Sequence, residues 1–414
     1  MEAFGPVRAL LQHAPFRNQL LASTLSMLGN SLTPVALSFG ILEVTGSASA
    51  LGFVLAAYTL PQVAFMLIGG VWADRLPRQR VMMISDAVRV TTQCGMGYIL
   101  LTHQSSILPM VILQGACGIS SAFFLPASTG LVADTVPSGR FQEANALLSL
   151  SRTLTGSVGP MVAGVIVAFS GAGWALLFDG FTYAASFLFL SRLSIPSTVK
   201  TTGANRFWVD LRSGWHEVRS RSWVWTTIMY CMVFNVSFTS FQVLGPTFLT
   251  TQAHGAVFWG MIVTGLGLGQ FAGSSLAMWW HPKRPLFIGR LVMLLAAPVL
   301  YLMSAGASVL LLVCGSILSG IAMSFPDTLW ESSLQENISG DSLSRVSSFD
   351  FLGSLALRPI GLALAGMISD LIGSSATFAL CGSVIVVVGM MSLADPGVRR
   401  LTSARFPKLR AQHG

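Results

Sequence analysis

The chain contains 414 residues, of which 53% are apolar and only 10% are charged. A soluble domain carries about 25% charged residues, so this composition excludes a soluble globular protein. Apolar runs long enough to cross a bilayer as a helix, about 18 residues or more, recur along the chain. Because these runs are continuous and do not alternate in segments of about ten residues, they also exclude a transmembrane β-barrel.

The sequence therefore predicts an all-α membrane protein with twelve transmembrane helices in two six-helix bundles. The two halves share fragments of sequence, such as Phe124-Leu-Pro126 in span 4 and Phe325-Pro326 in span 10. Such echoes indicate an internal duplication, which is common among transporter folds. The predicted spans cover residues 16–42, 47–73, 80–102, 106–132, 141–169, 172–193, 223–249, 254–280, 284–305, 307–333, 343–371 and 374–394.

Four regions follow from these spans. Residues 1–193 form the N-terminal bundle, 194–222 a cytoplasmic linker, 223–394 the C-terminal bundle and 395–414 a basic tail. Aromatic and apolar residues recur at helical spacing in the linker, opposite a basic face. This pattern predicts an amphipathic helix that lies among the lipid headgroups.

Among the loops, lysine and arginine occur only in alternate ones. They occur before span 1, after spans 2, 4, 8 and 10, in the linker and in the tail, for example at Arg80, Arg140 and Lys283. The intervening loops contain neither residue type. Positively charged loops face the cytoplasm, so we expect both termini and the linker to be cytoplasmic. The basic residues that give the net charge of +8 would then set the orientation in the membrane and contact anionic membrane lipids. No nucleic-acid partner is expected.

The loop between spans 2 and 3 has the most specific pattern in the chain. Charge inside hydrocarbon is expensive, so this loop must lie at the membrane surface. The pattern resembles the signature loop between helices 2 and 3 of the major facilitator superfamily of transporters. It reads Gly70-Val-Trp-Ala-Asp74-Arg75-Leu-Pro-Arg78-Gln-Arg80.

The resemblance implies a conformational latch that holds one access state. Asp74 would cap the positive end of a neighbouring helix, and the arginines would pair with acids such as Asp134 and Asp350. The alternative is a positive-inside hairpin without a partner. Pro77 stands where the family usually has glycine, and proline fixes the turn differently.

Span 5 contains a cluster of small residues that resembles the antiporter motif of the same family. Small residues let helices approach closely, and a proline can kink a helix. Ordinary helix packing is the alternative interpretation. Span 4 retains the family's Gln114-Gly115 pair but lacks the arginine expected just before it. The span 5 motif comprises Gly156, Gly159, Pro160 and Gly164.

Ionisable residues inside spans are candidate functional groups, because they cost several kcal/mol unless they are paired or hydrated. Asp179 and Arg152 lie on consecutive spans, so we expect a buried pair that serves either transport or static helix packing. Asp86 and Arg89 are three residues apart in span 3, which favours a structural ion pair. Further candidates are Glu43, Arg358, Asp327 and Glu331.

Polar and aromatic residues of several spans could together line a mixed cavity. The five cysteines lie in apolar segments without a CxxC pair, so they are expected to be small buried residues. The sequence contains no phosphate-binding loop, metal-ligand cluster or catalytic motif, so we expect no cofactor, metal or enzymatic activity. The candidate lining residues are Asn30, Gln62, Phe238, Phe241 and Trp259.

The signature loop, the stretch Ser85-Asp86-Ala-Val-Arg89 and span 5 together resemble the branch of macrolide efflux proteins and enterobactin-type siderophore exporters. This resemblance implies a monomeric cell-membrane exporter of an amphipathic drug, macrolide-like or siderophore-like molecule, working by alternating access in exchange for protons. Asp179 is the first candidate for proton coupling and Glu43 the second. An ion-coupled uptake symporter for a nutrient and a non-transporting sensor or scaffold are the alternatives.

Overall fold

The structure, a computed structural model, describes most of the chain. It covers residues 10–136, 140–193, 215, 218–250, 252, 254–338, 346, 349–350 and 352–402, without the side chains of 67–75, 133, 141 and 142. The side chains of Asp74 and Arg75, most of the linker and the end of the tail therefore lie outside the described residues. The expected headgroup helix of the linker stays a prediction for the same reason.

The described residues include twelve long helical segments and a short helix near the C-terminus, so the predicted all-α fold is confirmed. A short 3₁₀ turn interrupts α9, and α11 becomes regular only from Arg358 onwards. The segments are α1 (Ala14–Thr45), α2 (Ala48–Arg75), α3 (Arg78–Leu101), α4 (Ile107–Thr135), α5 (Phe141–Ser170), α6 (Ala172–Ser191), α7 (Ser222–Leu249), α8 (Gly255–Trp279), α9 (Pro285–Ser304), α10 (Val309–Asn337), α11 (Leu352–Ile372), α12 (Ser374–Ser392) and α13 (Pro396–Arg400).

Eleven of these helices are long and apolar enough to cross a membrane. The exception among the twelve long segments is α3, which contains Asp86 and Arg89, both buried. Large apolar side chains stay exposed on other helices, including Phe169 and Leu371. Exposed apolar side chains of this kind suit contact with lipid tails, because their contact with water is unfavourable.

Single glycines make two sharp connections at matching places in the two halves. Gly171 joins α5 to α6 with φ of 92°, and Gly373 joins α11 to α12 with φ of 86°. Residues with a Cβ rarely adopt this left-handed conformation. Each glycine ends one helix and begins the next, which agrees with the repeated fragments of sequence.

The chain folds into two compact units. Unit 1 contains α1 to α6 together with the end of α7, the start of α8 and a short piece of α11. Unit 2 contains the remaining parts. Unit 1 comprises Met1–Thr202, Val243–Thr264 and Leu362–Met367, and unit 2 comprises Gly203–Gln242, Gly265–Gly361 and Ile368–Gly414.

Each unit has its own apolar core. In unit 1, α2 packs mainly on α4, α3 on α6, and α1 on both α5 and α6. Leu37, Met96 and Leu176 belong to the core that these helices share. In unit 2, α9 packs on α10 and α12, and Trp223 meets Trp330 edge to face with ring centroids 5.5 Å apart. These cores position the polar groups described next.

Candidate functional site

Unit 1 contains a cavity of about 330 Å³ between α1, α2, α3, α4 and α5. Its wall mixes apolar side chains, such as Leu37 and Leu55, with polar ones, among them the predicted lining residues Asn30 and Gln62. Small-molecule sites usually measure about 300–1,000 Å³. The unit 1 cavity is therefore large enough for a small ligand or for one part of a larger one.

Arg89 of α3 lies in the wall of this cavity and is almost fully buried. Its guanidinium donates a hydrogen bond to the Ser26 hydroxyl of α1 at 3.1 Å and lies 3.7 Å from the Asp86 carboxylate. The other oxygen of Asp86 accepts a hydrogen bond from Ser186 of α6 at 2.6 Å. The structure thus brings the predicted Asp86–Arg89 pair together and links it to two neighbouring helices.

Two aromatic rings enclose the same guanidinium. Arg89 lies 4.3 Å from the ring centroid of Phe124 and 5.3 Å from that of Tyr183. Tyr183 in turn donates its hydroxyl proton to the Asn30 side-chain oxygen at 2.8 Å. Aromatic faces attract cations, so these rings help to hold a buried positive charge beside the cavity.

Asp179 of α6 is fully buried and faces α1. One carboxylate oxygen accepts a hydrogen bond from Thr33, and the other has no hydrogen-bond partner among the described residues. Gly29 lies directly beside this second oxygen, and any Cβ at that position would overlap it. The absence of a side chain at Gly29 therefore makes room for the carboxylate between α1 and α6.

The expected Asp179–Arg152 pair is not formed among the described residues. Arg152 of α5 is exposed and contributes to the cavity wall, whereas Asp179 is hydrogen-bonded to Thr33. Consecutive helices are neighbours, but their rotation about their own axes decides which side chains meet. Here that rotation turns Arg152 towards the cavity and Asp179 towards α1.

Several buried polar atoms of the wall have no hydrogen-bond partner among the residues that the structure describes. They are both amide atoms of Gln114, the side-chain oxygen of Gln93 and Nε of Arg89. Sequence reasoning missed Gln93, although it lies one helical turn after Arg89 and so on the same face of α3. Unsatisfied polar groups are rare inside proteins, and here they line a cavity that can hold a ligand.

The signature loop is fastened to two helices of unit 1. Arg78 forms an ion pair with Asp134 of α4 at 3.1 Å and donates to the Gly130 carbonyl at 2.8 Å. A Cβ at Gly130 would overlap the Arg78 guanidinium. Gln79 donates to two carbonyls at the end of α6, at 2.8 and 2.9 Å. Two of the predicted latch residues, Arg78 and Asp134, thus form an ion pair in the structure.

Each of the other charged residues that were predicted as site residues has its own contacts or exposure. Arg80 is exposed, and Asp350 in unit 2 accepts a hydrogen bond from the Trp330 indole at 2.7 Å. Glu43 is exposed near the end of α1. Arg358 donates to the side-chain oxygen of Gln242 at 3.2 Å.

The aromatic residues predicted to line a cavity do not belong to the wall of the unit 1 cavity. Phe238 and Phe241 stack on each other along α7, with centroids 5.1 Å apart. The indole of Trp259 lies against Gly245, where a Cβ would overlap it. These three aromatic residues therefore support helix packing in their own units.

The small residues of α5 allow close helix contacts within unit 1. A Cβ on Gly159 would come within 2.6 Å of Ser31 Cβ on α1, and one on Gly164 would overlap the Ala256 carbonyl of α8. The Pro160 carbonyl faces Gly260 of α8 in the same way. Gly156 differs, because no atom of another described element lies within 4 Å of the place where its Cβ would be.

Unit 2 contains a buried arginine that sequence reasoning missed. Arg290 of α9 is 5% exposed and lies 4.5 Å from the ring centroid of Tyr230, and two of its nitrogens have no hydrogen-bond partner within the described ranges. It precedes Phe325 by the same number of residues as Arg89 precedes Phe124. This shared spacing was the signal that could have identified Arg290.

One family model matches most of the chain, and relatives cover nearly all of it. The model described as Major Facilitator Superfamily matches residues 20–357. The multidrug efflux pump Tap of Mycolicibacterium fortuitum is 24% identical over 94% of this chain and 97% of the relative. Macrolide efflux protein A of Streptococcus pyogenes is 22% identical over 91% of this chain and 94% of the relative.

A solved structure has the same fold. It is a bacterial homolog of the human lysosomal transporter Spinster, in an inward-facing and unoccupied conformation. The match has a TM-score of 0.70 and 14% identity, and covers 93% of this chain and 96% of the other.

Proposed function

The chain belongs to the Major Facilitator Superfamily, and on this basis we propose that it exports amphipathic small molecules in exchange for protons. Family membership makes it a multi-pass membrane transporter and not an enzyme. Relatives that cover nearly the whole chain are named as efflux proteins, which supports export. The observation that carries the proposal is the cavity of unit 1, whose mixed wall suits a molecule with both apolar and polar parts.

Asp179 is the proposed coupling group. It is the buried carboxylate that adjoins the cavity through Thr33, a residue of the cavity wall. Its ionised form accepts the Thr33 hydrogen bond, and its protonated form can donate to a new partner. Its second oxygen has no hydrogen-bond partner among the described residues. A carboxyl with these properties can take up a proton in one state of the transport cycle and release it in another.

The signature loop is proposed to act as a latch between access states. The Arg78–Asp134 pair and the contact with Gly130 support this role. We propose that Asp74 and Arg75 belong to the same latch. We further propose a monomer in the cell membrane with both termini in the cytoplasm, because lysine and arginine lie on one side of the predicted topology.

Replacing the coupling carboxyl tests the proposal. Asp179→Asn keeps the size of the side chain but cannot carry the proton, so it should abolish gradient-driven efflux and leave downhill exchange intact. Transport is measured in proteoliposomes with a ligand first chosen by thermal stabilisation of the purified protein. Glu336→Gln is the matched control, since Glu336 is an exposed carboxylate of α10 that belongs to no candidate site, and its efflux should stay at the wild-type rate.

Uphill efflux by Asp179→Asn at the wild-type rate would exclude Asp179 as the coupling site. Failure of the wild-type protein to move any stabilising ligand would contradict transport itself and favour a sensor or scaffold.

A further inference from the structure

We infer that the unit 1 cavity prefers amphipathic small molecules with one negative charge, most simply a carboxylate, over cations. This inference rests on the proposed transport function and adds the substrate class. It follows from which charges line the cavity, from which polar atoms are unsatisfied there, and from where the apolar part of the wall lies.

The charged side chains in the wall are both cations. Arg89 and Arg152 line the cavity, and no aspartate or glutamate of the described residues does so. The nearby carboxylates lie behind the wall, where Asp86 and Asp179 each accept a hydrogen bond from a hydroxyl group. A ligand in the cavity therefore meets the positive charges first, which favours an anion and disfavours a cation.

Arg89 keeps donor capacity for a ligand. Its distance of 3.7 Å from Asp86 exceeds the roughly 2.7–2.9 Å of a strong charge-assisted hydrogen bond. Its Nε has no hydrogen-bond partner in the part of the chain that the structure describes, and the side chain is only 2% exposed. A carboxylate is the common partner of such a guanidinium edge, because it can accept two parallel hydrogen bonds.

Two primary amides in the wall extend this recognition. Gln114 is fully buried, and the described residues offer no hydrogen-bond partner to either of its amide atoms or to the side-chain oxygen of Gln93. A buried donor or acceptor without a partner is costly, so a ligand that supplies partners gains affinity. Gln114 can donate and accept, which calls for a ligand with its own amide or hydroxyl group.

The rest of the wall determines the shape of the molecule. Leu37, Leu55 and Phe124 provide an apolar surface within the same cavity. A volume of about 330 Å³ suits a compact molecule with one hydrophobic group. The structure therefore fits an acylated amino acid or a similar amphipathic acid better than a lipophilic cation.

Three matched probes test the charge preference. N-acetylphenylalanine is an anion, its primary amide is neutral, and phenylalaninamide is a cation, while all three carry the same ring and an amide or carboxylate. Affinity is measured by calorimetry and thermal stabilisation of the full-length protein. We expect the acid to bind at least about tenfold more tightly than the cation, which corresponds to about 1.4 kcal/mol.

Variants show whether the preference arises in this cavity. Arg152→Gln should weaken binding of the acid several-fold and leave the neutral amide nearly unchanged. Gln114→Leu should weaken both ligands. Arg400→Gln removes one positive charge from an exposed position in unit 2 and is the matched control, with wild-type affinity expected. Thermal unfolding without ligand checks that each variant is folded.

The outcomes separate this inference from the proposed function. Equal or tighter binding of the cation, or an acid affinity unaffected by Arg152→Gln in a folded protein, would overturn the charge preference even if efflux occurs. Conversely, binding of the acid with the expected preference, but without movement of any probe across proteoliposomes, would support the cavity and contradict export.

Discussion

Arg78 can reach Asp134 because residue 130 is a glycine and has no side chain. The guanidinium crosses α4 at Gly130 to reach Asp134, and any Cβ at Gly130 would occupy the same space. The two side chains of the pair are 24% and 21% exposed. Partly exposed ion pairs contribute only about 0–1 kcal/mol to stability, so this pair is better suited to a switch than to a structural support.

Replacing Gly130 with alanine should displace Arg78 from Asp134. We expect Gly130→Ala and Arg78→Gln each to slow transport several-fold, while the midpoint of thermal unfolding changes little. The double variant should be no slower than either single one, because both changes remove the same contact. Initial transport rates in proteoliposomes provide the measurement, and multiplicative effects would exclude a shared mechanism.

Sequence reasoning predicted some residue contacts and missed others for a physical reason. Arg78 and Asp134 could be matched because opposite charges at the same membrane face attract each other. Asp86 and Arg89 follow from helical spacing alone. The partner of Asp179 is Thr33, on a helix far away in the sequence. Only the rotation and packing of α1 and α6 determine that contact, and a sequence pattern does not contain them.

The packing of α5 on α1 depends on one glycine of its motif and not on another. Gly159 lies against Ser31, whereas Gly156 faces open space. The sequence groups both residues in one cluster, because both are small and both lie near Pro160. In the structure the two glycines differ, because Gly159 faces α1 and Gly156 does not.

Alanine at the two positions should have opposite effects. Gly159→Ala forces α1 and α5 apart, and overpacking of this kind costs about 1–3 kcal/mol. Gly156→Ala should be neutral or stabilise by up to about 1 kcal/mol, because alanine is the better helix former. Thermal unfolding of the purified variants measures the difference. Adding Ser31→Gly to Gly159→Ala should recover part of the loss, and equal midpoints for the two single variants would contradict this packing.

The predicted spans and the observed helices agree well because hydrophobic length is a strong signal. The least apolar of the long segments is α3, because it contains Asp86 and Arg89. Both are buried, and their mutual ion pair offsets part of the cost of burying charge. Interruptions within helices were not predicted, such as the 3₁₀ turn at Leu294–Ala296 in α9. That turn precedes Pro298, which lacks the amide proton that a continuous helix would need.

The orientation of the whole molecule can be tested by labelling single cysteines from outside intact cells. In a background without the five native cysteines, Ser105→Cys and Ser308→Cys should react with an impermeant reagent. Arg80→Cys and Arg400→Cys should react only after the membrane is opened. All four positions are exposed, so burial cannot explain a difference. The opposite pattern would place the termini outside.

The direction of coupling is the central claim for the whole molecule, and a pH gradient tests it most directly. The purified protein is reconstituted in one known orientation, with its cytoplasmic side facing the external medium, and a stabilising ligand is added outside. Proton exchange predicts that the ligand accumulates inside when the lumen is acidic, and that collapsing the gradient with an ionophore releases it. Accumulation only when the lumen is alkaline would indicate symport and contradict proton-coupled export.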